Sequence, residues 1–461
     1  MKDIQCVWNH FLVYSSCLFN QVHAPRGIEL LDILRERLQL FLPDGRWKRE
    51  EYNKYPSWGN FLEDEIQLLK MRRDSSCSQK DKRHWNLQLL ELEAAQVRQK
   101  ANCYPRRINI EITDNCNLRC PMCSQGYEDL PRVSLEPDNI IASLAEINPY
   151  LEQVELIGLG EPLTSPVFLK WINQWPLQPA QTFSTTSNAL LLDEEMTENI
   201  LHSRLNQIRF SVDGMTPETY RRMRGRNDFS LLQKNLAYFM KRKKETGKKM
   251  EVWIRMVATR SNVHELPTFI EYAIRLGVDL AEVMHLFAYT PPMWKQSLIF
   301  DRPLWNRYYD EAAAMAEKSG IRYRFPRKFD LDRKPVDNEF EQVCREPWEY
   351  FYVTSEGKFR ACCINLAKMG DLRTDSFTAI WNGSKYKAFR SQLINHNSRL
   401  YRCRYCYLNF IYGDVNNVHT HLIDLKAHYM EMGEDRRLHL PVESVDEYIE
   451  ACLQGESVPC R

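Results

Sequence analysis

Six short segments between Arg107 and Phe287 constrain the fold more than any other feature of the chain: RINIEIT, QVELIGLG, QTFSTTSN, QIRFSVDG, EVWIRMVAT and AEVMHLF. Each carries the apolar pattern of a strand, and the stretches between them leave room for a helix and its turns, which is a βα repeat. In the first, Ile108, Ile110 and Ile112 alternate with polar residues, as one face of a pleated strand requires. Helix boundaries fall where the repeat needs them. Thr216 and Pro217 form an N-cap and first-turn pair, and Gly247, Gly277 and Gly320 end helices, because glycine accepts the left-handed backbone of a helix C-terminus without strain. Six units predict an α/β fold, a partial (β/α)6 TIM-like barrel over residues 105–325, with its chemistry at the carboxyl ends of the strands.

The flanking sequence differs in kind. Residues 1–104 read as a helical N-terminal region of unassigned role, with helical spacing of apolar residues in IELLDILRERLQLFL and NFLEDEIQLLKM and a polar interruption at SSCSQKDKRH. A charged connector, KFDLDRKPVDNEFEQ, leads into a small cysteine-rich α+β module over 326–412, and 413–461 forms a C-terminal tail. With 62 basic residues against 61 acidic ones, the chain is not built to coat a polyanion. FLVYSSCLF is too short to cross a bilayer, which takes about 20 apolar residues, so no membrane partner is expected. The 14 cysteines are clustered, which favours metal ligation over a disulfide framework and places the chain in the reducing cytoplasm.

The first strand runs directly into TDNCNLRCPMCSQ, where Cys116, Cys120 and Cys123 stand at C-x3-C-x2-C spacing. Three thiolates this close can share a metal or a cluster. Structural zinc is the bland alternative, but it wants a fourth ligand and paired C-x2-C units. Three ligands on a four-iron cluster leave one iron open. A second group comprises Cys344, Cys362 and the C-x2-C pair Cys403 and Cys406. WEYFYVTSEGKFRACC reads as a hairpin about SEG that brings Cys344 near Cys362, and GDLRTDSFTAIWNG adds a turn and a helix before the last pair. Four thiolates saturate a 4Fe-4S cluster, and the same spacing also suits zinc.

Taken in order along the strands, these residues resemble the radical S-adenosylmethionine (SAM) superfamily. C-x3-C-x2-C follows the first strand, and GLGEPL (Gly158 to Leu163) follows the second, with Leu159 where the family's Gly-Gly-Glu-Pro turn has its first glycine. STTSNA after the third strand and SVDG after the fourth are similar to elements that line the SAM pocket. The resemblance implies that Cys116, Cys120 and Cys123 hold a 4Fe-4S cluster whose open iron is chelated by the methionine of SAM. An electron from a reductant such as flavodoxin or ferredoxin would then split SAM into a 5′-deoxyadenosyl radical that takes a hydrogen atom from substrate. It further implies that Met122 touches the adenine and that Gly160 and Glu161 hold the methionine ammonium. Ser187, Asn188 and Ser211 would contact ribose or carboxylate, and Arg255 would reach the SAM carboxylate. Turn-shaping by Ser187 and Asn188, a surface position for Glu161 and an ion pair for Arg255 are the structural alternatives.

The second cysteine group resembles the twitch module, the shorter relative of the SPASM domain. Tyr412 stands where a further cysteine would continue it, so one auxiliary 4Fe-4S cluster on Cys344, Cys362, Cys403 and Cys406 is expected, two clusters in all. A saturated cluster suits an electron acceptor. The leading expectation is therefore a radical SAM oxidoreductase that dehydrogenates a sugar, cyclitol or other small metabolite. A maturase that modifies a peptide and a zinc-stabilised scaffold without catalysis are the rivals.

At the sixth strand, Glu282, His285 and Tyr289 are candidates for the active-site rim, with Glu282 or His285 as the catalytic base for a substrate hydroxyl. Asp213 is a further candidate base or a turn former. Cys363 is either a hydrogen-atom donor or a buried spectator thiol. Two basic runs, RRMRGR (Arg221 to Arg226) and KRKKETGKK (Lys241 to Lys249), suit phosphate or nucleic acid. Basic residues at a helix end also complement its dipole, and no RNA-binding module is recognisable, so nucleic acid is not an expected partner.

Overall fold

The computed structural model describes residues 58–127, 130–288, 291–337, 344–363, 367–393, 401–406 and 415–422. The chain divides into two compact units, 1–96 and 97–461. In the first, helices α1 (Trp58–Ser75) and α2 (Gln79–Ala95) pack against each other. The polar interruption is their turn: the Ser78 hydroxyl accepts a hydrogen bond from the Asp81 N–H at 3.3 Å, capping α2. The Arg72 guanidinium lies 4.8 Å from the centre of the Trp85 ring. IELLDILRERLQLFL, the other expected helix, lies outside the described residues.

In the second unit all six expected strands form: β1 (Arg107–Ile110), β2 (Gln153–Leu156), β3 (Thr182–Ser187), β4 (Gln207–Ser211), β5 (Glu251–Ala258) and β6 (Leu280–His285). Each pairs in parallel with the next. Between them lie α3 (Pro137–Ser143), α4 (Phe168–Gln174), α5 (Glu194–His202), α6 (Pro217–Arg224), α7 (Phe229–Thr246) and α8 (Leu266–Leu276), and α9 (Arg302–Ser319) follows β6. Sequential parallel winding with helices between strands is the α/β organisation of a TIM-like barrel wall, left open among the described residues. Thr216 caps α6 through its side chain, and Gly247, Gly277 and Gly320 end α7, α8 and α9 in the left-handed region.

The wall extends beyond six strands at both ends. After Gly320, β7 (Arg322–Arg324) pairs in parallel with β6; it lies inside the expected barrel region but is not among the six expected strands. At the other edge, β8 (Tyr350–Val353) pairs in parallel with β1, from Arg107 opposite Tyr350 to Ile110 opposite Val353. β8 turns into β9 (Lys358–Arg360) and then β10 (Lys368–Asp371), both antiparallel. The expected hairpin about SEG is therefore present, and it belongs to the same ten-stranded sheet as the barrel. All four β8 residues are buried, which is why the strand reads as an uninterrupted apolar run in a parallel setting.

Arg390 closes the C-terminal part of this unit. It is fully buried on α11 (Ser384–Gln392), which follows α10 (Phe377–Trp381). Its guanidinium donates to the carbonyls of Pro347 (3.1 Å), Gln99 (3.0 Å) and Trp381 (2.8 Å). It also stacks 4.4 Å from the ring centres of both Trp381 and Tyr386. Each buried carbonyl left without a donor costs about 1–3 kcal/mol. Arg390→Met, which keeps the stem but removes the donors, should therefore destabilise this unit by about 3 kcal/mol or more. A lowered urea midpoint of tryptophan fluorescence checks this; an unchanged midpoint contradicts it.

Candidate active site

The residues that precede Cys116 build its loop. The Asp114 carboxylate accepts from the backbone N–H groups of Val133 (2.7 Å) and Arg132 (3.0 Å), and the Thr113 hydroxyl donates to the Val133 carbonyl (2.9 Å). The Gln125 side-chain amide donates to the Asp114 carbonyl at 3.0 Å, and Arg119 donates to Gln125 at 2.9 Å. TDN is thus a staple that folds the loop back on itself. Inside it the Cys123 N–H donates to the Cys120 carbonyl (3.0 Å), and the Leu118 N–H reaches the Cys116 sulfur (3.4 Å). Burial pushes the Cys123 thiol up to about 11, with Cys120 and Cys116 adding to the rise, and burial also raises Cys116, with Glu161 and then Cys120 adding to it. The burial of Cys116 and Cys123 disfavours their thiolates until a cation is supplied, which fits an iron cluster.

GLGEPL packs directly on this loop. A Cβ at Gly160 would sit 2.3 Å from the Thr113 carbonyl oxygen and 2.5 Å from that of Asn115, so no larger residue fits there. The Glu161 N–H donates to the Asn115 carbonyl at 2.7 Å. The Glu161 side chain is 4% exposed, not a surface carboxylate. It accepts from the N–H groups of Asn188 (2.7 Å) and Leu163 (3.2 Å), and burial raises its pKa against those bonds and one from Ser187. Asn188 in turn donates to the Asn117 side chain at 2.7 Å. Glu161, Ser187 and Asn188 are thus joined to the cysteine loop. Met122 is half-buried within that loop, and Ser211 ends β4 beside Arg255 in register.

The barrel wall holds the remaining expected residues. Arg255 pairs with Glu282 at 2.6 Å, and Arg324 reaches the other Glu282 oxygen at 3.1 Å. Burial pushes the Glu282 carboxyl up, but the two arginines outweigh it and hold it below the usual range. Glu282 is therefore a poor proton acceptor, contrary to its expected role. His285 is 2% exposed, with Phe329 stacked on it at 5.3 Å, Trp305 edge-on at 4.5 Å and His421 at 5.1 Å. Burial, then His421, drives its pKa well down. It ends β6 but is enclosed by these rings, and Tyr289 lies outside the described residues.

Two functional positions escaped sequence reading. Glu111, just past β1, accepts from the Leu159 N–H (2.7 Å) and the Ser355 N–H (3.1 Å). It joins GLGEPL to the β8–β9 turn, and a Cβ at Gly158 would lie 2.3 Å from its Cγ. The signal was a carboxylate continuing the polar face of RINIEIT. Arg224, inside RRMRGR, is 9% exposed, donates to the Cys120 sulfur at 3.7 Å and pairs with the buried Asp213 carboxylate. Asp213 also accepts from the Val257 N–H at 2.7 Å, so it is committed to the fold instead of standing free as a base.

The second cysteine group is centred on Cys344. Cys344 precedes a helical turn, Glu346–Glu349, that Arg107 holds through Glu346 at 2.7 Å. Burial drives the Cys344 thiol well up, and the charges of Glu346, Cys406, Cys362 and Cys403 add to it, so the other three cysteines lie in its neighbourhood. Cys403 sits on the helical turn Tyr401–Arg404. The Tyr405 ring, inside the C-x2-C pair, lies 4.2 Å from that of His419, which bonds Asp337 at 2.5 Å. Cys363 is exposed, so the buried-spectator reading of it is corrected. Tyr412 lies outside the described residues.

Comparison with known proteins agrees with this geometry. Residues 110–273 match the family model of the Radical SAM superfamily, and residues 344–407 match that of SPASM, an iron-sulfur cluster-binding domain. The chain is 25% identical over 299 residues to the tungsten-containing aldehyde ferredoxin oxidoreductase cofactor-modifying protein of Pyrococcus furiosus, covering 61% of this chain and 82% of that protein. It is 25% identical over 311 residues to the GTP 3′,8-cyclase of Syntrophomonas wolfei, covering 63% and 90%. The fold is similar to that of Streptococcus suis SuiB bound to S-adenosylmethionine, with a TM-score of 0.50 at 17% identity over 72% of this chain and 79% of the other. The chain therefore carries a Radical SAM domain over residues 110–273 and a SPASM-type iron-sulfur cluster-binding domain over residues 344–407.

Proposed function

We propose that this radical SAM enzyme oxidises a small metabolite by two electrons, as in the dehydrogenation of an alcohol carbon. The observation that carries the reading is the parallel pairing of β8 with β1, braced by Glu111. It ties the strand that leads into Cys116 to the hairpin that leads into Cys362. In this reading Cys116, Cys120 and Cys123 would hold one 4Fe-4S cluster with an open iron, and Cys344, Cys362, Cys403 and Cys406 a second, saturated one. When bound, these groups and SAM supply a radical able to take a hydrogen atom and an acceptor for the electron left on the substrate.

The chain's own residues then position the reactants. Glu161, with three of its lone-pair sites engaged by Asn188, Leu163 and Ser187, keeps one for the SAM ammonium. Gly160 lets that turn approach the cysteine loop, while Met122, Ser187, Asn188 and Ser211 would line the nucleoside. Arg255, engaged with Glu282, would meet the SAM carboxylate only with its remaining donors. No base role is assigned to Glu282 or His285. The names of these two sequence relatives point to a nucleotide or a cofactor, while that of another relative, a PqqA peptide cyclase, keeps peptide modification as the second reading. Electrons would come from a small redox protein such as flavodoxin or ferredoxin, in the cytoplasm.

Anaerobic reconstitution should load about eight irons per chain and support reductive cleavage of SAM; zinc in both sites without cleavage would refute the reading. Cys120→Ala should abolish cleavage. Cys403→Ala should retain part of it but yield no oxidised product, and product formation by that variant would remove the acceptor role of the second cluster. Glu161→Gln should keep its iron yet bind SAM roughly tenfold more weakly, the worth of one hydrogen bond to a charged group, as read by equilibrium dialysis. Undiminished binding would exclude Glu161 from the SAM site.

A further inference from the structure

RRMRGR is the one basic run with a buried arginine whose placement the proposed chemistry has not used. Its members divide by direction. Arg221 and Arg222 are exposed, and Arg222 pairs with Glu218 one turn back. Arg224 turns inward. Its Nη1 lies 3.7 Å from the Cys120 sulfur, and the opposite side of the guanidinium pairs with Asp213. Asp213 is itself fixed by the Val257 N–H, and its backbone carbonyl accepts from the Asn262 side chain at 3.0 Å. The segment is seated on the cysteine loop by backbone as well. Gly225 takes a positive φ of 73°, and a Cβ there would lie only 3.1 Å from the Arg119 carbonyl oxygen. Arg226 reaches the Asn117 carbonyl at 3.5 Å. A cation this deeply buried is stable only with partners, and the partners here are one carboxylate and one cysteine sulfur.

We infer that Arg224, oriented by Asp213, donates to the Cys120 ligand sulfur and raises the reduction potential of the cluster held by Cys116, Cys120 and Cys123. Hydrogen bonds to ligand sulfurs set such potentials, because a donor or cation at the sulfur stabilises the form that carries the extra electron. Asp213 acts in the opposite sense as the nearby negative charge. The basic run is thus a positioning device for a redox centre, and its outer arginines have no part in it. The inference rests on the proposed cluster at these three cysteines.

The test is a potentiometric titration, followed by electron paramagnetic resonance, of the full chain reconstituted with iron and sulfide, reading the signal that SAM perturbs. Arg224→Gln should lower the reduced-to-oxidised ratio at a fixed potential roughly tenfold, a shift of about 59 mV to more negative potential. Asp213→Asn should shift it the other way, and Arg221→Gln should leave it in place. A purely structural role would not produce opposite signs. If Arg224→Gln fails to hold iron, Arg224→Lys decides, with a smaller negative shift expected. Full iron with an unmoved potential in whichever variant decides, or an equal shift from Arg221→Gln, overturns the inference. Failure of the unaltered chain to take up iron at these cysteines would instead overturn the proposed function beneath it.

Discussion

The pairing of β8 with β1 is the constraint on which the rest of this structure depends. β1 is the first strand of the barrel wall and runs directly into the cysteine loop, while β8 lies between Cys344 and Cys362 of the second cysteine group. Backbone hydrogen bonds between parallel strands admit no sideways freedom, and a one-residue slip would turn every side chain to the wrong face. Glu111 adds a carboxylate bridge at the end of that pairing, where it satisfies the N–H groups of both Leu159 and Ser355. The strands next to the two groups of thiols therefore belong to one sheet.

Around that frame, buried polar side chains do the fine placement. Asp114 and Thr113 fold the cysteine loop, Asn188 and Glu161 lock it to the turns after β2 and β3, and Arg390 gathers the carbonyls of Gln99, Pro347 and Trp381. Each of these groups would be costly if left unpaired. Their mutual satisfaction is what makes a loop with little regular structure a defined site. The arginines of the barrel wall show the same economy: Arg255 and Arg324 converge on Glu282, and Arg224 on Asp213.

Much of this was legible in the sequence where local chemistry speaks for itself. Strand alternation in RINIEIT, the Thr216–Pro217 start and the glycine stops gave the repeat, and the cysteine spacings marked both groups. What escaped was set by distance along the chain. Nothing local reveals that YFYV would join β1 in parallel, since a buried run reads alike at either sheet edge. Glu111 looked like the polar half of an alternation, although its partners lie about 48 and 244 residues away. Glu282 and His285 stood at a plausible rim by sequence, but arginines from β5 and β7 and rings from later segments enclose them. Arg224 was hidden by its basic neighbours, because charge runs do not disclose which member turns inward.

The central claim is that the three-cysteine loop leaves an iron open to the methionine end of SAM. Pulsed electron-nuclear double resonance on the reduced, reconstituted chain with SAM labelled at its amino nitrogen tests it most directly. A hyperfine coupling between that nitrogen and the cluster is the predicted result. A fully loaded cluster with no coupling to the bound, labelled SAM would contradict the account.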